Sequence, residues 1–166
     1  MQPPRPEPRS RISRRLLAAV ALAPLALGAL GCSFFSRSLF GGETSVALNA
    51  DPGINHDSPV AVELVVVFDA GLQAKLAGMS AADWFRNRAQ IQSDYPGSTG
   101  FVSRSWEIVP GQGVREQSLE FGVGAVGGFV FANYLFSEGP HRQQIDPHQK
   151  LQILLRDSNF TVDATD

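Results

Sequence analysis

Few residues in this 166-residue chain have the type and spacing to do chemistry, and the three histidines come first. His141 and His148 are seven apart around Asp146 and Pro147, and His56 lies far away in sequence. Zinc sites draw on closely spaced His and Cys ligands, which this arrangement does not provide. No metal centre is expected. A periplasmic hydrolase would need polar groups converging on His141 or His148, and no serine stands in a G-x-S-x-G or S-x-x-K context, so no catalytic residue is assigned. Residues 122–127 read Gly-Val-Gly-Ala-Val-Gly, which matches the dinucleotide fingerprint in letters only. That fingerprint needs a helix to follow, so that a pyrophosphate meets a helix N-terminus. Here Gly128, Phe129, Val130 and Phe131 follow, which are strand formers, and the glycines read as a bend or bulge between strands. No cofactor is expected.

One thiol remains, Cys32, and its setting is informative. Arg5, Arg9, Arg11, Arg14 and Arg15 precede an apolar run over 16–30, interrupted by Pro24. Spanning a bilayer takes about 20 apolar residues, so this shorter run fits the core of a cleavable export signal over 1–31. Ala29-Leu30-Gly31-Cys32 resembles the lipobox of bacterial lipoproteins, in which the cysteine thiol carries diacylglycerol. The resemblance implies lipidation of Cys32, with palmitate among the acyl chains. Ser33, not aspartate, then implies sorting to the outer membrane. A simple secretory signal with an incidental cysteine is the alternative. The segment Ser13-Arg14-Arg15-Leu16-Leu17 also resembles a twin-arginine signal, while the Leu/Ala-rich core favours the general route.

Residues 32–166 carry nine basic and fifteen acidic side chains, a formal charge of −6 that disfavours nucleic acid as a partner. Their length suits one domain, and with one cysteine that domain holds no internal disulfide. Burial must stabilise it.

The elements follow from periodicity. Residues 32–43 form a tether and 44–166 the domain. A short strand over 44–48 precedes the strongest strand signal, 60–68, where Val60, Val62, Leu64, Val66 and Phe68 share one face and Glu63 is the polar exception on the other. Leu72, Leu76 and Met79 predict a short helix ended near Gly78. Ser80 as N-cap, with Asp83 three residues on, opens a second helix whose stripe is Ala81, Trp84, Phe85 and Ala89. Tyr95-Pro96-Gly97 closes it. Strands are predicted over 101–108 and 114–121, paired as a hairpin about the turn at 110–113. Others are predicted over 129–136, 150–156 and 160–163. Trp84, Trp106, Phe129, Phe131 and Tyr134 read as core. Seven short strands with one helical excursion predict an all-β sandwich.

The connection over 49–59 stands out because Ile54 is apolar among turn formers, either folded back on its own core or held for a partner. Taken together, the lipobox and tether, then Ser45-Val46-Ala47-Leu48-Asn49-Ala50, Ile54-Asn55, and Ser58-Pro59-Val60-Ala61-Val62, resemble the TssJ outer-membrane lipoproteins of type VI secretion systems. Ala81-Ala82-Asp83-Trp84-Phe85 and the strand from Trp106 into Pro110-Gly111 are similar too. The resemblance implies a transthyretin-like β-sandwich, lipid-anchored at the periplasmic face of the outer membrane. It implies a non-catalytic role in anchoring a membrane complex, with the periplasmic domain of a TssM-like inner-membrane protein as partner. In that family the loop between the first two strands contributes to the contact, which transfers by position to Ile54, Asn55, His56 and Asp57. The alternative is a periplasmic lipoprotein that carries a small ligand or pilots another outer-membrane protein. A deep apolar pocket between the sheets would favour that alternative.

Overall fold

In the computed structural model residues 41–136 and 138–165 are described; Cys32, the export signal and all but the end of the tether lie outside them. The order of elements begins with β1 (Gly42–Ala50), β2 (Val60–Val67), α1 (Ala70–Ala77) and α2 (Ala81–Asp94). A 3-10 turn (Pro96–Ser98) leads to β3 (Phe101–Ile108), β4 (Gly113–Phe121) and β5 (Gly127–Asn133). The last strands are β6 (Arg142–Ile145), β7 (Lys150–Leu155) and β8 (Phe160–Thr165). They form two four-stranded sheets, ordered β4-β1-β7-β8 and β3-β2-β5-β6. This is the all-β sandwich with a helical insertion between strands that the pattern predicts.

β2 explains why both layers close. A strand apolar on both sides must be covered on both, and its eight residues are nearly all buried. Val60, Val62 and Leu64 face the other sheet, packing with Val46, Leu48, Val130, Leu151 and Ile153. Val65 and Val67 face outward beneath the helices, with Phe129 and Phe131 beside them. There α2 lays Trp84 flat on Phe131, with ring centroids 5.1 Å apart. Glu63 shares this outward face and is buried, accepting hydrogen bonds from Trp84 Nε1 at 3.0 Å and from Arg88 at 2.9 Å. The polar exception in β2 is thus satisfied by the helix that covers it.

The caps behave as the sequence predicts for α2: the Ser80 hydroxyl accepts from the Asp83 amide and donates to its carboxylate. For α1 the cap is Asp69, which accepts from the Leu72 amide. The α2 stripe differs at its end, where Ile91 is buried and Ala89 is exposed.

The pairing and the number of strands differ from expectation. The strands at 101–108 and 114–121 do not pair with each other: β3 pairs antiparallel with β2, and β4 with β1. The turn between them is a corner from one sheet to the other, held to the end of β1 by Gly111 N–H donating to Asp51 O and Ala50 N–H donating to Gln112 O. Side chains then bind the adjacent edges, as Arg104 donates to Ser118 O and Trp106 Nε1 to Gln117 Oε1. The physical reason is that β2, apolar on both faces, takes two strand neighbours and claims β3. The eighth strand, β6, is the other difference. Its Arg-Gln-Gln-Ile sequence has no apolar alternation, and it is a strand because Phe131 to Gly128 of β5 offer it a ladder.

Candidate functional site

Topology sorts the connections between two ends of the sandwich. At one end lie the start of β1 and the β4–β5 loop, since Gly42 stands opposite Phe121. At the other end the β1–β2, β3–β4, β5–β6 and β7–β8 connections gather. The register places Asn49 opposite Gly113, Ala50 beside Leu155, Val60 opposite Ile108 and Ala61 opposite Asn133. The nine residues of β1 separate the two ends by roughly 30 Å, at ~3.3 Å per residue.

The β1–β2 loop is built around an uncommon backbone. Asn55, His56 and Asp57 have φ of 49, 52 and 58°, three successive residues in the left-handed region. That region costs L-residues roughly 1–2 kcal/mol each, and Asn, Asp and His tolerate it better than most. The turn is closed by the Ser58 amide, shared between the carbonyls of Ile54 and Asn55. Surrounding contacts hold it. The Asn55 amide donates to Asp157 O at 2.8 Å, its Nδ2 donates to Pro59 O, and its Oδ1 accepts from the Leu135 amide, both at 2.9 Å. Tyr134, next to Leu135, donates its hydroxyl to Asn159 O at 2.6 Å, and burial raises its phenol pKa above the ordinary value, so it stays protonated. Asn55 and Tyr134 therefore join three connections into one rigid end.

The four residues assigned to partner contact divide in two. Ile54 is fully buried in the core between the sheets, and Asn55 is buried as the loop's polar hub. Ile54 thus folds back on its own core, which is what an apolar side chain in a turn does when buried apolar side chains lie beneath it. His56 and Asp57 are exposed. Beside them the structure adds residues that sequence reading missed: Leu135 and Phe136 are 66 and 58 % exposed, and His56 meets Phe136 edge to face at 5.3 Å. A strand predicted through residue 136 hid them, because alternation gives no sign that β5 stops at Asn133. Val109, on the neighbouring corner, is also exposed. This end presents a fixed apolar patch with a histidine and a carboxylate at its margin.

Other candidates are kept apart. His141 lies tilted beside Tyr134 and His148 meets Phe121 edge to face, at opposite ends of the fold. Among the described residues, no three His, Cys, Asp or Glu side chains are placed to hold a metal ion. Residues 122–127 run from a turn straight into β5, with no helix after them to receive a phosphate. A groove of about 410 Å³ near the β6 and β8 edges is lined by polar groups, Glu138, Arg142, Gln143 and Asn159 among them. It lies outside the apolar core.

No family model and no curated protein matches the sequence. Solved structures do match in fold. The T6SS lipoprotein TssJ1 from Pseudomonas aeruginosa is 18 % identical over 76 % of this chain and 98 % of its own, with a TM-score of 0.54. Serratia marcescens Lip, a membrane-bound component of the type VI secretion system, is 14 % identical over 74 % of this chain and 97 % of its own, with a TM-score of 0.56. A structure of the T6SS protein TssM C-terminal domain from EAEC is 12 % identical over 74 % and 98 %, with a TM-score of 0.52. At these identities what is shared is the sandwich itself.

Proposed function

We propose that this chain is a TssJ-type outer-membrane lipoprotein, a non-catalytic anchor that ties a type VI secretion membrane complex to the periplasmic face of that membrane. The observation that carries the reading is the opposition of the two ends. The chain that leads back to Cys32 leaves at the start of β1, and the exposed patch of His56, Asp57, Leu135 and Phe136 lies beyond its far end. A domain that transmits a pull between a lipid and a partner needs its two attachments apart and a stiff body between them, and a sandwich closed on both faces of β2 is such a body. The likeness of fold to T6SS lipoproteins adds support. Acyl chains on Cys32 would make release from the membrane slow, which one chain alone does not achieve. The partner is the periplasmic domain of a TssM-like inner-membrane protein.

In this reading Ile54 and Asn55 build the contact surface, and His56, Asp57, Leu135 and Phe136 make it. The carrier alternative draws less support, since Val62, Leu64, Val130 and Ile153 fill the space between the sheets. Two variants test the two attachments separately. Cys32→Ser should move the protein out of outer-membrane fractions, and unchanged sedimentation with that membrane would refute the anchor. Phe136→Asp should keep the fold and lose co-purification with the inner-membrane partner, and full retention of the partner would refute the contact surface.

A further inference from the structure

Among the described residues the exposed large apolar side chains fall into two groups. Val109, Leu135 and Phe136 lie at the end assigned to the partner, and Val123 and Val126, 61 and 44 % exposed, lie at the other, in the β4–β5 loop. Among the described residues no side chain buries these two valines. The loop around them is tied to β2: Gly124 takes a φ of 88°, which favours glycine, and the Val126 amide donates to Val67 O at 2.8 Å. Two neighbouring valines on this loop present an apolar tip that a lipid or protein surface can cover.

The chain itself indicates which. Gly42 stands opposite Phe121 at the base of this loop. A Cβ on Gly41 would lie 2.5 Å from the Phe121 carbonyl oxygen and 3.3 Å from Gly122, so the chain from Cys32 arrives in contact with the loop's first residues, and only glycine fits there. Nine residues, 33–41, separate Cys32 from Gly42, and a chain of that length reaches at most roughly 32 Å. Phe34, Phe35, Leu39 and Phe40 are among those nine, a composition that favours the lipid boundary over water. One step along the ladder from Phe121, Glu43 stands directly opposite Glu120, and both are exposed. Two facing carboxylates resist entry into lipid and limit the contact to the loop tip.

We propose that the β4–β5 loop is a second membrane contact, in which Val123 and Val126 rest in the headgroup boundary of the bilayer that holds the acyl chains of Cys32. This rests on the anchor reading and deepens it. The short tether keeps the loop at high local concentration over the surface, so two weak apolar contacts suffice to orient the domain, with its partner-binding end pointing away from the membrane.

The test uses the acylated full chain in vesicles of phosphatidylethanolamine and phosphatidylglycerol. Acylation occupies the Cys32 thiol, so Val123→Cys and, as the far-end control, Val109→Cys each carry one reactive thiol for an environment-sensitive nitrobenzoxadiazole label. With nitroxide-bearing lipid present, the label at position 123 should be quenched several-fold more than the label at position 109. Equal, solvent-like emission from both positions, in protein that still floats with the vesicles, would overturn the loop contact and leave the anchor standing. Failure of the acylated protein to float with vesicles would overturn both.

Discussion

Asn55 accepts a hydrogen bond from the Leu135 amide through Oδ1 at 2.9 Å, so one buried side chain on the β1–β2 loop fixes the start of the β5–β6 connection, where the exposed Leu135 and Phe136 stand. The patch is therefore not made by either loop alone. It is held in shape by a polar contact beneath it.

Asn55→Ala removes both side-chain bonds and leaves the Leu135 amide and the Pro59 carbonyl without their partner. Orphaned buried groups of this kind cost about 1–3 kcal/mol each, and alanine tolerates the left-handed region less well than asparagine. The expected result is a loss of roughly 2–4 kcal/mol in urea-unfolding free energy, toward the sum of those terms, together with weaker partner binding. Asn55→Asp keeps the acceptor for Leu135 but sets a carboxylate against the Pro59 carbonyl, and should be no better than alanine. Equilibrium unfolding of the two variants checks this.

The neighbouring Asp57 gives the opposite outcome, because its side chain is exposed and its backbone φ is 58°. Glycine removes the steric cost of that region, and the gain is offset in part by greater freedom of the unfolded chain. Asp57→Gly should leave stability unchanged or slightly raised, whereas Asp57→Val, branched at Cβ, should lose roughly 1–2 kcal/mol. Thermal unfolding of the pair separates backbone strain from the loss of the charge, which both variants share.

What the sequence made legible follows from how local the cause is. The Ser80 cap, the helix stop at Tyr95-Pro96-Gly97 and the apolar β2 each depend on a few adjacent residues, and each stands in the fold as read. The hairpin and the unread strand depend on a distant partner. Residues 101–121 look like a hairpin because the turn residues are present, yet β2 competes for β3 and wins. β6 has no pattern of its own and exists through its ladder with β5. Ile54 was visible as an anomaly, but its direction, inward to Val60 and Leu155 and their neighbours, is set by the space under the loop. Leu135 and Phe136 carry the same letters as a buried strand and differ only in where the strand ends.

The N-terminus of α2 couples the helical layer to pH. The Ser80 hydroxyl donates to Asp83 Oδ2 at 2.6 Å and is the main cause that lowers the Asp83 pKa from its ordinary 3.8; Arg86 lowers it further, at 2.8 Å, and desolvation opposes both. The position in the first helical turn also favours the charged form. A carboxylate whose folded pKa lies below its unfolded one stabilises the fold above the unfolded value, and that contribution is lost as pH falls through the folded value. Stability should therefore decline on acidification below about pH 4, and Asp83→Asn should lack this part of the decline. Ser80→Ala should weaken the same dependence and also remove the acceptor for the Asp83 amide, so it lowers stability at neutral pH as well, by about 1 kcal/mol as caps usually do. Unfolding midpoints of wild type and both variants from pH 3 to pH 7 read the difference. Identical slopes for wild type and Asp83→Asn would show that other carboxylates govern the acid limb.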